Sequence, residues 1–237
     1  MVPTRIDWVR EHCQLLRGIA AEFGRTRPFD GLTIGTGIHL EAKTVALLLT
    51  LRDGGARLIS TGNLNTTQPD AVERLRAEGV TVVGGPTKDS EVHAGYLGEV
   101  LAAEPNLILD NGGDLFARYL DHPYPGLLGG TEETTSGRMR LEPLRGQLGR
   151  PILVINDSPI KQFAENEHAV GQSSVESFLR MTNRVTNGEQ VTGFALQARC
   201  LEAVARRGVD ATSCVVPVPG AIDAAIARSY LDHKYPG

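Results

Sequence analysis

The sequence PILVINDSPIKQFAEN, residues 151–166, decides how the rest of the chain is read. Its first part, Ile152 to Ile155, is a short uncharged apolar run of the kind that forms a strand buried on both faces. It empties into a polar turn, Asn156-Asp157-Ser158-Pro159, and then presents Lys161, Glu165 and Asn166. In an open α/β sheet the ligand crevice lies beyond the carboxyl ends of the strands, which is where these polar groups fall. A helix starting near Pro159 sets Lys161 and Glu165 on one face, because residues four apart are helical neighbours. The same spacing also describes a surface ion pair on a first helical turn, which would contribute little.

The chain before this stretch repeats the same grammar. Ile6, Val9, Leu15, Leu16, Ile19 and Phe23 recur at helical spacing, and Pro28 and Gly31 end that element. Leu32-Thr33-Ile34 reads as a strand, and Gly35-Thr36-Gly37 reads as a tight turn into a helix over residues 39–52. Strands follow at Leu58-Ile59, at 80–83 and at Leu107-Ile108-Leu109, with helices over 69–78 and 91–103 between them. Strand, turn and helix in alternation predict an α/β fold, a doubly wound parallel sheet. The loops that follow these strands hold the polar residues: His39 after the first; Asn63, Thr66 and Gln68; Asp110 to Asp114; Thr131 to Gly137; and Asn156 to Asn166. Each has a plain structural use, since a Thr or Ser turn caps a helix and a lone His often starts one. Five in one sheet point to a shared site.

Composition narrows the classes. With 237 residues the chain can hold one large or two small domains, and 41% hydrophobic and 22% charged residues are ordinary for a globular protein. A net charge of −4, no basic stripe and few aromatics argue against nucleic acid as a partner. No apolar run is long enough for a membrane span, and the amphipathic, charged N-terminus is unlike a signal sequence. Cys13, Cys200 and Cys214 are odd in number and scattered, without metal-ligand spacing. A cytoplasmic protein with reduced thiols is expected.

EETTSG at 132–137, LDNGGDL at 109–115, NDSPIK at 156–161 followed by Glu165-Asn166, NLNTTQ at 63–68 and the helix over 39–51 together resemble S-adenosylhomocysteine hydrolases. The segments keep that family's order and spacing to about Val209. The resemblance implies a Rossmann-like substrate domain over 1–185 and, over 186–237, a remnant βαβ unit of the NAD-binding domain, in a short, diverged member. In that family NAD oxidises the ribose 3′-hydroxyl to a ketone, base-catalysed elimination expels homocysteine, water adds, and the ketone is reduced again. Lys161 and Glu165 then match the lysine and carboxylate that manage the 3′-hydroxyl proton, although the family has Asp at the second position. Asn156 and Asn166 match as written. Glu133 and Thr134 match residues that hold ribose hydroxyls, His39 the histidine near the leaving group, and Thr66 and Gln68 fall in a substrate-binding loop.

The departures are as informative. Asn111 stands where the family has an ionisable Asp that assists elimination and water addition, and an amide cannot carry a proton in that role. His39-Leu40-Glu41-Ala42-Lys43 replaces the segment whose polar side chains read adenine. A cation at Lys43 can only donate, so it favours a ring oxygen over an amino group and points to a keto purine or another head group. Glu41 is the alternative source of the lost acceptor. Val170 stands where the family has a cysteine. Of the glycine fingerprint for NAD only Gly193 remains; Ala195 obstructs the approach of a pyrophosphate, and Val215 or Val216 stands where an acidic residue would grip the ribose. The expectation is therefore acid–base chemistry, hydrolysis or elimination, on a nucleoside or S-adenosylhomocysteine-related substrate without NAD. A non-catalytic nucleoside-binding protein and an NAD-dependent hydrolase are the other two readings. Metal has no place in any of them. Homo-oligomerisation is expected, with Tyr230 and Leu231 on the last helix as candidates for the contact.

Overall fold

A strand with both neighbours in a parallel sheet must shed water from both faces, so its residues have to be apolar on each side. The computed structural model describes residues 4–181, 192–210, 212 and 214–234. It opens with α1 (Arg5–His12) and α2 (Gln14–Thr26). A first winding follows: β1 (Thr33–Ile38), α3 (Ala42–Asp53), β2 (Arg57–Gly62), α4 (Pro69–Ala77) and β3 (Thr81–Val82). Then α5 (Ser90–Ala102) returns the chain to β4 (Leu107–Asp110), beside β1. The second winding has α6 (Asp114–Tyr119), β5 (Gly129–Glu132), α7 (Thr135–Leu141), α8 (Arg145–Leu148) and β6 (Ile152–Val154). After a short 3-10 turn (Ile155–Asp157) come a π-helix (Lys161–Val170), α9 (Gly171–Met181), α10 (Thr192–Ala205), β7 (Cys214–Pro217) and α11 (Gly220–Lys234).

The described strands form one seven-stranded, wholly parallel sheet in the order β3-β2-β1-β4-β5-β6-β7. The order reverses between β1 and β4, and the crevice beyond their carboxyl ends is the natural ligand position of such a sheet. Alternate side chains point to opposite faces. Leu107 and Leu109 thus join the core under α2, α3, α4 and α10, while Ile108 joins the one under α5, α6 and α8. β6 alternates in the same way, Leu153 to the first core and Ile152 and Val154 to the second.

Three expectations from the sequence are corrected. Gly35-Thr36-Gly37 is not a turn: it is the middle of β1, wholly buried. The glycine is there because a Cβ on Gly35 would lie 2.7 Å from Cγ of Pro105 and 3.1 Å from Val100, so a helix-facing neighbour fills its space. The stretch from Gly129 to Glu132, whose second half reads as loop, is a central strand, and α6 follows β4 where no helix was expected. Beyond these, α10 begins at Thr192, so the whole fingerprint from Gly193 to Cys200 lies inside a helix that is almost entirely buried. The expected boundary between 185 and 186 falls outside the described residues. Beyond it, α10 packs over β4 and β5, and β7 pairs with β6, so the anticipated second βαβ unit continues the first sheet.

The last helix packs Tyr230 partly against the core, and Leu231 is exposed. The three cysteines are free and buried. Burial pushes the Cys13 thiol up to about 11 and raises Cys200 and Cys214 as well, so all three stay protonated at neutral pH. Among the described residues, no helix is long and apolar enough to cross a membrane.

The reading of β1 has a direct test in a pair of substitutions. Gly35→Ala drives a methyl into Pro105 and is expected to destabilise by about 1–3 kcal/mol. Gly98→Ala, in α5, meets nothing within 4 Å and is expected to stabilise by about 0.5–1 kcal/mol. Urea unfolding of the two variants measures both; equal effects would remove the packing argument.

Candidate functional site

Four strand ends deliver the polar groups. His39 follows the last residue of β1, Asn111 follows β4, Glu133 follows β5, and the turn after β6 leads to Lys161 and Glu165. Above these ends lies a cavity of about 700 Å³, lined by His39, Glu41, Lys43, Asn111, Glu133 and Glu165. A second wall comes from Val170, Ser173, Ser174 and Ser177 on the far side, with Phe194 of α10.

The π-helix explains the arrangement of the β6 residues. Its wide turn bonds residue i to i+5, so side chains five apart can meet, and such turns are frequent at functional sites. Lys161 Nζ lies 3.5 Å from Glu165 Oε1, and it donates to Asn166 Oδ1 at 2.7 Å. Asn166 Nδ2 donates in turn to Asn156 Oδ1 at 3.0 Å, and Asn156 Nδ2 to Thr135 Oγ1 at 2.7 Å. The Lys161 and Glu165 side chains are 10% and 16% exposed, which rules out a surface ion pair. Their burial makes the pairing necessary, since either charge left alone would be strongly unfavourable. The other oxygen of Glu165, Oε2, accepts the Gly193 backbone N–H at 2.6 Å.

Asn111 and Glu133 form the centre. Asn111 Nδ2 donates to Glu133 Oε2 at 2.5 Å, while the buried Asn111 Oδ1 has no protein partner among the described residues. Its backbone carbonyl accepts from Asn63 Nδ2 at 3.0 Å, tying in the loop after β2. Burial, with the Glu165 charge nearby, pushes the Glu133 carboxyl up to about 7 against the opposing pull of Lys161 and Asn111. Glu133 can thus gain or lose a proton near neutrality. His39 Nδ1 is bonded to Thr66 Oγ1 at 2.6 Å, and burial holds the imidazole below its usual range, so it is neutral at pH 7. Glu41 and Lys43 pair at 3.1 Å at the mouth.

The structure therefore brings His39, Glu41, Lys43, Asn111, Glu133 and Glu165 to one cavity, with Lys161, Asn156 and Asn166 bonded behind it and Thr66 holding His39. Two residues go elsewhere. Gln68 accepts from Arg5, away from the cavity lining. Thr134 takes the plain alternative: its Oγ1 caps α7 through Gly137 N at 2.9 Å and donates to Glu132 Oε1 at 2.7 Å. Gly193 lies within a helix with its N–H committed to Glu165, and a Cβ there would lie 2.6 Å from Oε2 of that residue. The described residues at Gly193 to Cys200 thus do not form the strand–turn–helix cradle that a dinucleotide pyrophosphate needs. No group of three or more His, Cys, Asp or Glu among the described residues is placed to hold a metal. The serine wall and Phe194 were not foreseen. Their signal was a run of small polar residues at helical spacing, at 173, 174 and 177, which looks like any solvated helix face.

The Glu133 environment sets a pH dependence. Folding raises this carboxyl from its ordinary 4.5 to about 7, so between those values the native protein keeps a proton that the unfolded chain has released. Its contribution to stability is therefore full below pH 4.5, falls as the pH rises, and is lost above 7. Relative to Glu133→Gln, the wild type is expected to lose about 3 kcal/mol across this window in urea unfolding. Parallel pH curves for the two proteins would overturn the assignment.

Residues 5–122 match the family model described as S-adenosyl-L-homocysteine hydrolase. The adenosylhomocysteinase of Thermotoga maritima is 38% identical over 214 residues, covering 84% of this chain and 53% of the relative. The S-inosyl-L-homocysteine hydrolase of Methanococcus maripaludis is 36% identical over 195 residues, covering 79% of this chain and 46% of the relative. The adenosylhomocysteinase of Thermococcus kodakarensis is 35% identical over 222 residues, with 90% and 52% covered. The chain spans about half the length of the curated relatives it matches. On this match and these identities, the chain belongs to the S-adenosyl-L-homocysteine hydrolase family.

Proposed function

We propose that the cavity binds a nucleoside, or the homocysteine thioether of one, and acts on it by acid–base chemistry without resident NAD. The observation that carries this reading is the cluster itself: the Asn111–Glu133 contact and the Lys161–Glu165 pair, buried side by side over the strand ends. Lys161 and Glu165 would hold a ribose hydroxyl and its proton between them. Glu133, with its carboxyl near neutrality, would take a proton from a hydroxyl or water and return it to the leaving sulfur, while neutral His39 donates or accepts at that end. In hydrolysis a C–O bond to water forms as the C–S bond breaks, and the proton taken from that water goes to the departing sulfur, so the step balances without an oxidant; elimination would instead take its proton from the carbon beside the C–S carbon. Support for the NAD-free part is the Gly193 N–H, spent on Glu165 instead of facing a phosphate.

The base is read as a keto purine. Lys43 at the mouth can donate to a ring carbonyl oxygen, and it has no acceptor to offer an exocyclic amine. Relatives described as S-inosyl-L-homocysteine hydrolases, from Methanococcus maripaludis and Methanopyrus kandleri, are 36% identical to this chain. One observation favours a second reading, a nucleoside-binding protein without turnover: Asn111 has no proton to exchange.

Calorimetric titration with adenosine, inosine, S-adenosylhomocysteine and NAD tests these readings. Inosine is expected to bind without NAD, and Lys161→Ala to weaken it about ten-fold or more through loss of a buried charged partner. Lys43→Gln is expected to reduce the preference for inosine over adenosine by about ten-fold, a difference of about 1.4 kcal/mol. Turnover of the bound thioether separates enzyme from binder. Tight NAD binding would overturn the NAD-free chemistry, and failure of all four ligands would overturn the site.

A further inference from the structure

Asp110 and Glu132 end the adjacent strands β4 and β5 as register partners, and both are fully buried. Asp110 stays within its own loop, accepting the backbone N–H of Asn111 at 3.0 Å, Leu115 at 2.8 Å and Phe116 at 3.2 Å. Glu132 reaches across. From the loop after β4 it accepts Gly112 N at 3.0 Å and Gly113 N at 2.8 Å. From the loop after β5 it accepts Thr134 N and Thr134 Oγ1, each at 2.7 Å. Gly112 and Gly113 sit at φ +115° and +73°, a left-handed pair that turns two successive N–H groups onto one carboxylate. Gly137 leaves room for it: a Cβ there would strike the Glu132 carboxyl.

The two residues next to these anchors are the ones that meet in the cavity. Asn111 precedes Gly112, and Glu133 lies between Glu132 and Thr134, the two touching at 2.5 Å. No cation among the described residues lies in ion-pair reach of Glu132, so its burial is compensated only by these donors. Closing two loops does not call for a buried carboxylate, which is costly to desolvate. Holding four donors on a single pair of oxygens does, because only an ionised carboxyl accepts on every side.

We propose that Glu132 is the positioning residue of the site: it ties the Asn111 loop to the Glu133 loop and thereby sets the contact between their side chains. In this role it touches no ligand. It fixes where the amide of Asn111 meets the Glu133 carboxyl, and so how that carboxyl binds and titrates. The ligand-binding side of this inference rests on the function proposed above; the titration side does not.

Glu132→Gln is the test, since it keeps the size and turns an NH₂ toward the donors. Carbon-13 NMR of labelled glutamate carboxyls follows Glu133, its signal assigned by its loss in Glu133→Gln, and calorimetry with inosine follows binding. In folded Glu132→Gln, the Glu133 midpoint is expected to move from its wild-type position, and inosine to bind about ten-fold more weakly or worse. An unchanged midpoint together with unchanged inosine affinity, whatever the melting temperature does, overturns the proposal and leaves Glu132 a structural tie. If Glu132→Gln does not fold, Thr134→Val removes one donor and is expected to move the midpoint in part, with Thr134→Ser restoring it; no movement in Thr134→Val overturns the proposal. If the wild type ignores inosine, the function proposed above fails, and the NMR result still decides this inference.

Discussion

The pairing of β1 with β4 is the constraint on which the rest of the structure depends. β1 takes β2 on one edge and β4 on the other, so the chain leaves this pair in opposite directions and its loops diverge above it. A crevice opens there because no crossover helix covers the join. The pair is held tightly from below: Gly35 admits Pro105 against the β1 backbone, and the Thr36 and Ser60 hydroxyls, within bonding distance at 2.6 Å, lock β1 to β2. With the strands fixed, their last residues have one place to go, and His39, Asn111 and Glu133 arrive at the same cavity.

What collects there is charge in a setting that resists it. Glu133 is almost fully buried and has Glu165 as a neighbour, and both effects favour its neutral form. Lys161 and the Asn111 amide oppose them, leaving the carboxyl balanced near neutrality. Below the cavity, Asp110 and Glu132 are also raised by burial, each softened by backbone N–H donors. The site is therefore a stack of carboxyls whose protonation is governed by donors from loops, with Lys161 as the counter-charge that acts on Glu133. Any rearrangement of the loops changes the electrostatics along with the shape.

Much of this was legible in the sequence, and the exceptions have physical reasons. Ile152 to Val154 and Leu107 to Leu109 were readable as strands because burial on both faces demands uninterrupted apolar residues. β1 was cut short because Gly-Thr-Gly is turn-like locally, and only Pro105, some seventy residues away in sequence, explains it. β5 was hidden for a related reason, since its Gly-Gly-Thr-Glu has almost no apolar surface to announce a strand. The cavity-lining residues were singled out by family resemblance, whereas spacing alone could not separate Lys161 and Glu165 from a surface pair. Thr134 and Gln68 show the limit of that transfer: the same residue types serve a helix cap and a contact with Arg5.

The π-helix has an evolutionary meaning as well as a geometric one. A stretch of 10 residues wound more loosely than an α-helix holds surplus chain within an unbroken rod. Removal of one residue from it need not shorten a loop or break a strand; the helix can tighten toward the ordinary pitch of about 3.6 residues per turn. Tightening winds each remaining residue further round the axis, so what lies beyond the deletion would turn relative to the strand ends and shift the serine face of α9 against the cavity. Length variation here would thus act as a dial on which side chains line the cavity, and a lineage could reshape that cavity by an indel without replacing a single residue at the strand ends.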